Sequence, residues 1–202
     1  MNAVKLPPSP LPGLSTVELG PSSEALLQDF FDANPAYFLA VTGAPAGAEE
    51  ARIEINDQPP EGWSFTKKWM VGYLDDTEQL AAMACVVTDM LVTGVWHIGL
   101  FIVATSRHGS GLAHMLHQGL QDWATRHGAR WLRLGVVQGN ARAERFWDSL
   151  GYVQTRTREG IEMGGRVNTI RVMVKPVGGG TIDEYLSLVP RDQPDTELVP
   201  KP

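Results

Sequence analysis

An apolar run, a turn with two glycines and an amphipathic stretch follow one another along this chain. They are Phe101-Ile102-Val103, then Arg107-His108-Gly109-Ser110-Gly111, then a segment opening on Leu112-Ala113. No other part of the sequence restricts the fold as much. Residues 95–104 are nearly all apolar, so this strand belongs in the middle of a sheet. A glycine turn that opens a helix offers free backbone N–H groups and the positive end of the helix dipole, which suits phosphate. Glycine also lets the backbone approach an anion with no side chain in the way. Two better-known anion loops fail here. The Walker pattern needs Gly-Lys-Ser/Thr, and Leu112 follows Gly111. The dinucleotide fingerprint needs a third glycine or alanine where His114 stands. Taken alone, the turn is either another kind of phosphate cradle or a plain connector.

The surrounding chain alternates strand and helix patterns. Residues 14–19 suit a short strand, and Ser22 or Ser23 can cap a helix whose buried face carries Leu26, Leu27, Phe30 and Phe31. Asn34-Pro35 ends it, and Tyr37, Phe38 and Val41 begin a second short helix. Residues 67–74 and 80–87 form a hairpin about Asp75-Asp76-Thr77-Glu78. Leu112, Met115, Leu116, Leu120, Trp123 and Ala124 recur at helical spacing, and Gly128 stops that helix. Residues 131–137 form a strand, Asn140 caps a helix running to Leu150, and residues 152–158 and 169–175 complete the sheet as an antiparallel pair. The 202 residues are enough for one core. The division expected is a flexible, proline-rich arm over 1–13, a single domain over 14–176, and a glycine-rich joint with a C-terminal tail over 177–202.

Seventeen basic residues against 23 acidic ones give a net charge of −6, which argues against nucleic acid as partner. No apolar stretch approaches the ~20 residues that a membrane helix needs, and the N-terminus lacks the apolar core of a secretory signal. Cys85 is the only cysteine, so no internal disulfide or cysteine metal cluster forms. A reduced, cytoplasmic setting without membrane attachment is expected.

A second motif follows the first: Asn140, Ala143, the pair Phe146-Trp147, and Gly151-Tyr152. Together with the glycine turn, and with strands between, it resembles the GCN5-related N-acetyltransferase (GNAT) superfamily over roughly residues 67–175. The family's loop Gln/Arg-x-x-Gly-x-Gly/Ala is matched by His108-Gly109-Ser110-Gly111-Leu112-Ala113, with His108 at the Gln/Arg position and Arg107 before it. The resemblance implies an α+β fold: a mixed, bent sheet that splays open beside Phe101-Ile102-Val103, with helices on both faces. It implies acetyl-CoA as co-substrate, with no metal. Amides of Gly109, Ser110, Gly111, Leu112 and Ala113 would hold the pyrophosphate, and those of Phe101–Val103 would polarise the thioester carbonyl. Asn140 would reach the pantetheine, with Ala143 and Phe146 lining the same side. The implied reaction is direct transfer of an acetyl group to a primary amine in a ternary complex. The acceptor is expected to be a small-molecule amine. A protein amine stays open, as do a homodimer and a non-catalytic acyl-CoA-sensing role.

Many members place a tyrosine where Trp147 stands and use its hydroxyl to protonate the departing thiolate. An indole N–H donates a hydrogen bond but is no practical acid, so another group or solvent must serve. His97, on the central strand, is the candidate base, since an ordinary histidine titrates near pH ~6.5. Its plainer reading is a strand residue. Asp89 is the second candidate, against an ordinary turn acid. Cys85 in an apolar run reads as a buried thiol, and His114, His117 and His127 as a solvated helix face.

Overall fold

The computed structural model describes residues 5–194. Seven strands form one sheet in the order β1-β2-β3-β4-β5-β7-β6. They are β1 (Ser15–Glu18), β2 (Lys67–Leu74), β3 (Leu80–Thr88), β4 (Val95–Val103), β5 (Trp131–Val137), β6 (Val153–Met163) and β7 (Arg166–Pro176). Every neighbouring pair is antiparallel except β4 and β5. The helices are α1 (Glu24–Ala33), α2 (Ala36–Val41), α3 (Glu50–Asn56), α4 (Leu112–Arg126), α5 (Ala141–Ser149) and α6 (Ile182–Leu188). Among the described residues, no helix is long and apolar enough to cross a membrane.

Side chains that alternate along each strand build a core on each face of the sheet. Val71, Ala84, Trp96, Ile98 and Leu134 point toward α4, where Leu116, Leu120 and Trp123 are buried. Met70, Met83, Cys85, Leu100 and Ile102 point the other way, toward Leu27, Phe31 and Phe38 of α1 and α2. Strand β3 is buried along its whole length, so it is a central strand like β4. Helix α3 was not expected from the sequence.

The β4–β5 ladder is short. It runs from Val95↔Trp131 to Ile98↔Leu134 and stops, while β3 stays paired with β4 out to Val103. The stop coincides with an irregularity in β4: Ile98 pairs with Val86 and Leu100 with Cys85, leaving Gly99 over. An extra residue bends its strand, and the sheet splits at that point.

Both ends differ from expectation. The arm is not loose from Lys5 onward: its Leu6, Leu11 and Leu14 pack on the α4-side core, and Trp123 donates to the Lys5 carbonyl at 2.7 Å. Residues 1–4 lie outside the described residues. The joint is packed as well. A Cβ on Gly178 would meet the Ala129 carbonyl oxygen at 2.4 Å, and one on Gly180 the Arg130 oxygen at 2.5 Å. These glycines serve close backbone approach. Trp131 Nε1 then donates to the Thr181 carbonyl at 2.8 Å, and Tyr185 of α6 is fully buried against Val95, Trp131 and Val174. The tail as far as residue 194 is therefore docked, and the expected tail over 195–202 lies outside the described residues.

Candidate active site

Among the described residues, the edge of β4 that faces β5 has no strand partner past Ile98. In an antiparallel pair, alternate backbone groups point away from the partner. Some N–H and C=O groups of residues 99–103 therefore point into the split. A cleft of about 560 Å³ lies there, lined by Phe101, Ile102 and Val103, by residues 107–109 and 111–114, and by Asn140, Ala143 and Phe146 of the second motif. Phe101 and Phe146 stack nearly parallel, 8° apart with centroids 5.9 Å from each other, which joins the two motifs across the split.

The glycine loop has the geometry that an anion needs. Gly109 and Gly111 take φ of +80° and +82°, and a Cβ on either would meet nothing within 4 Å. Backbone conformation, not crowding, therefore demands glycine there. Gly111 is the N-cap of α4 with no side-chain cap. Ser110 Oγ accepts from Leu112 N at 3.3 Å, while the N–H groups of Gly109, Gly111 and Ala113 have no partner among the described residues. These free donors at a helix N-terminus fit the pyrophosphate of CoA.

Arg107 and His108 line the cleft, and each is also tied to a neighbouring strand or turn. His108 Nε2 lies 2.9 Å from the Val103 carbonyl oxygen, which can only accept, so the ring donates and ties the loop to the end of β4. Arg107 pairs with Asp75 in the β2–β3 turn at 3.0 Å. Asn140 Oδ1 accepts from Ala143 N at 3.3 Å, capping α5 where it meets the cleft.

A second cavity of about 310 Å³ opens on the other side of the split, bounded by β4, β5, β6 and β7. Five residues line both spaces: Tyr37, Phe101, Asn140, Ala143 and Trp147. Trp147 is buried against Phe101, Phe146, His117 and Tyr152. Tyr37 was not singled out by the sequence, where it read only as a helix residue. It is half-buried, and its hydroxyl has no hydrogen-bond partner among the described residues. Burial raises the phenol far above its ordinary pKa, with the Glu54 carboxylate adding to the effect.

The candidate base lies beside a guanidinium. His97 lines the second cavity, but β4 and β5 set it opposite Arg133, whose Nη1 donates to His97 Nδ1 at 3.2 Å. Burial, reinforced by the Arg133 charge, pushes the ring's pKa down to about 3. A base that weak has little pull on an ammonium proton. A lowered pKa moves any acidic limb that it sets well below pH ~6.5. His97→Ala should change turnover by less than about threefold and leave the pH–rate profile in place. A loss of a hundredfold that tracks a titration near neutrality would restore the base.

Asp89, the second candidate, is tied into a turn. It sits at φ +53° in the β3–β4 turn, where its carboxylate accepts from Gly94 N and Thr66 Oγ1, each at 2.8 Å. It lines neither cavity.

His117, expected on a solvated face, is wholly buried with Nε2 2.9 Å from the Tyr152 hydroxyl. Burial, and then the Lys175 and His114 charges, lower its pKa to about 4. Cys85 is buried as expected, and desolvation, with the Glu54 carboxylate adding, pushes its thiol up to about 12. Among the described residues, no group of three or more His, Cys, Asp or Glu side chains is placed to hold a metal ion.

A sheet split beside a phosphate-type loop, with a second cavity meeting the cleft at the split, is the arrangement of acyltransferases that draw on acyl-CoA. The sequence profile of the acetyltransferase (GNAT) family matches residues 23–152, more than half of the chain, and the chain belongs to that family. Curated proteins give no sequence match. Solved structures share the fold. An acetyltransferase from Thermus thermophilus superposes with a TM-score of 0.64 at 16% identity, over 81% of this chain and 97% of its own. The ribosomal-protein-S18-alanine N-acetyltransferase of Escherichia coli gives 0.59 at 15%, covering 84% and 97%. Spermidine N-acetyltransferase of Vibrio cholerae, in complex with CoA and spermine, gives 0.61 at 14%, covering 81% and 95%.

Proposed function

We propose that this protein moves an acetyl group from acetyl-CoA to a primary amine by direct transfer, with both substrates bound at once. The observation that carries this reading is the meeting of two cavities at the β4–β5 split. One holds the glycine loop, and the other reaches the same five residues from the opposite side. The Vibrio cholerae neighbour, which holds CoA and spermine together, supports the pairing of a thioester with an amine in one such fold.

Gly109, Gly111 and Ala113 would hold the pyrophosphate through their free N–H groups. The open edge of β4 would hold the pantetheine as an added strand, with amides aimed at the thioester oxygen. Acetyl-CoA supplies an activated acyl carbon and a thiolate leaving group. Donors already fixed in place cost no reorganisation when charge builds on that oxygen. Trp147 gives the leaving sulfur a packed wall. Tyr37 is the one hydroxyl common to both cavities, and in our reading it donates a hydrogen bond to the departing thiolate, while solvent supplies the proton and accepts the amine's. Its raised pKa keeps the phenol protonated for that role.

Incubation of the protein with acetyl-CoA and a panel of amines, read by free-thiol release and mass spectrometry, tests the function. Thiol release that matches acetylated amine is expected. CoA binding without any amine-dependent release across the panel would sink the reading and leave a sensing role. Tyr37→Phe should lower turnover about 10- to 100-fold, the worth of one hydrogen bond to a charged atom. CoA affinity should hold. Unchanged turnover would remove Tyr37 from the reaction.

A further inference from the structure

The acceptor-side cavity has an unusual charge for a chain of net −6. Among the described residues lining it there is no aspartate or glutamate, whereas Arg133 and Arg158 both line it. The rest of its wall is largely apolar, including Val41, Ile161, Met163 and Ile170. Behind the arginines lies the C-terminal segment. Asp192, with no exposed surface, accepts from Arg133 Nε at 2.7 Å, from Arg158 Nη2 at 2.9 Å and from the Tyr185 hydroxyl at 2.5 Å. Next to it, Arg191 lies over the Trp63 ring at 3.9 Å, and Trp63 is itself part of the cavity wall.

Two guanidinium groups, those of Arg133 and Arg158, thus share one carboxylate, with the Arg191 charge close by. Arg133 uses all three of its nitrogens, two on Asp192 and one on His97. The other two arginines do not. The Nε atoms of Arg158 and Arg191 are buried with no hydrogen-bond partner. A buried charged donor left unpaired costs more than a neutral one. The surplus charge also shows in Arg191, whose pKa is lowered by burial and then by the Arg158 charge.

We propose that the acceptor is an amine that also carries an anionic group, in the simplest case a carboxylate on a partly apolar skeleton, with the anion seated at Arg158. This inference rests on the acetyl-transfer reading given above. Phe101, Trp147 and Arg158 line this one cavity, so an amine that faces the thioester at the split can bring its anion to Arg158. A guanidinium matches a carboxylate in shape as well as charge. A polycation would meet two arginines and no acid, and is disfavoured by like charge.

The test uses matched acceptors: phenylalanine against phenethylamine, leucine against isoamylamine, and spermidine as the polycation. Binding to the CoA-saturated protein is measured by calorimetry, and acetylation by thiol release. The carboxylate member of each pair should bind at least about tenfold more tightly, and spermidine least well. Arg158→Gln should erase the difference within each pair and spare affinity for CoA. Arg158→Lys keeps the ion pair with Asp192 but lacks the Nε donor, so it should lose only part of the difference and guards against misfolding of the first variant. Equal binding within pairs, preference for spermidine, or equal weakening of both pair members by Arg158→Gln would overturn the proposal. The two readings fail separately. Anion-selective binding without acetylation removes acetyl transfer, whereas acetylation without anion selectivity removes only the acceptor class.

Discussion

Gly111→Val should raise the dissociation constant for acetyl-CoA at least about 70-fold. Gly111 sits at φ +82°, where a β-branched residue is strained by ~1–2 kcal/mol. Relief of that strain turns the Gly111 N–H and the first turn of α4 away from the anion. One lost hydrogen bond to a charged group is worth ~1.5–3 kcal/mol, and ~1.4 kcal/mol is tenfold in affinity. The two effects together give ~2.5–5 kcal/mol, between about 70-fold and several thousandfold. The added Cβ meets nothing within 4 Å, so the substitution acts on the loop and its ligand, not on the core. Calorimetric titration of folded protein reads the change. Parental affinity in the variant would mean that the pyrophosphate lies elsewhere.

Asp192→Ala should be the most destabilising single change on the acceptor side. The carboxylate is fully buried between Arg133, Arg158 and Tyr185. Burial alone would raise its pKa, but the hydrogen bonds and charge of Arg133, followed by Tyr185 and Arg158, hold it at about 2. Removing one member of a buried pair leaves the other charge uncompensated, at ~3–5 kcal/mol. For a chain of this size that amounts to roughly 6–20 °C in Tm. The sign with pH follows from the lowered value. The contribution is complete above the ordinary carboxylate range near ~4 and is lost as pH falls through about 2. The variant should therefore lose less stability than the parent between those limits. Neither Asp192 nor its arginine partners line the CoA cleft, so affinity for CoA should not change. Urea denaturation within 1 kcal/mol of the parent would show the cluster to be idle.

The features legible in the sequence were those set by local chemistry. Positive φ at Gly109, Gly111, Gly128 and Gly151 follows from what the chain must do at helix ends. The strand and helix patterns of residues 67–175 follow from the two periodicities. Helix α3 escaped because it has seven residues, mostly polar, and buries only Ala51. The settings of the histidines were hidden for another reason. His97 owes its low pKa first to burial and then to the register that sets it opposite Arg133, and the buried His117 meets a tyrosine 35 residues away. Pairings of that length leave no local mark. The same holds for Asp192, which looks like one more acid in a polar tail until β5 and β6 supply its partners.

The separation of 59 positions from Arg133 to Asp192 also has a consequence in time. Synthesis at ~5–20 residues per second separates the two by about 3–12 s. The glycine loop, α4 and the β2–β3–β4 meander are all translated before Asp192, so the cofactor half of the molecule can order first. Until Asp192 is made, Arg133 and then Arg158 lack this counter-ion. The cavity that they line is thus expected to be completed after the cofactor cleft. A nascent chain halted short of Asp192 would present a thioester site before it had a place for the amine.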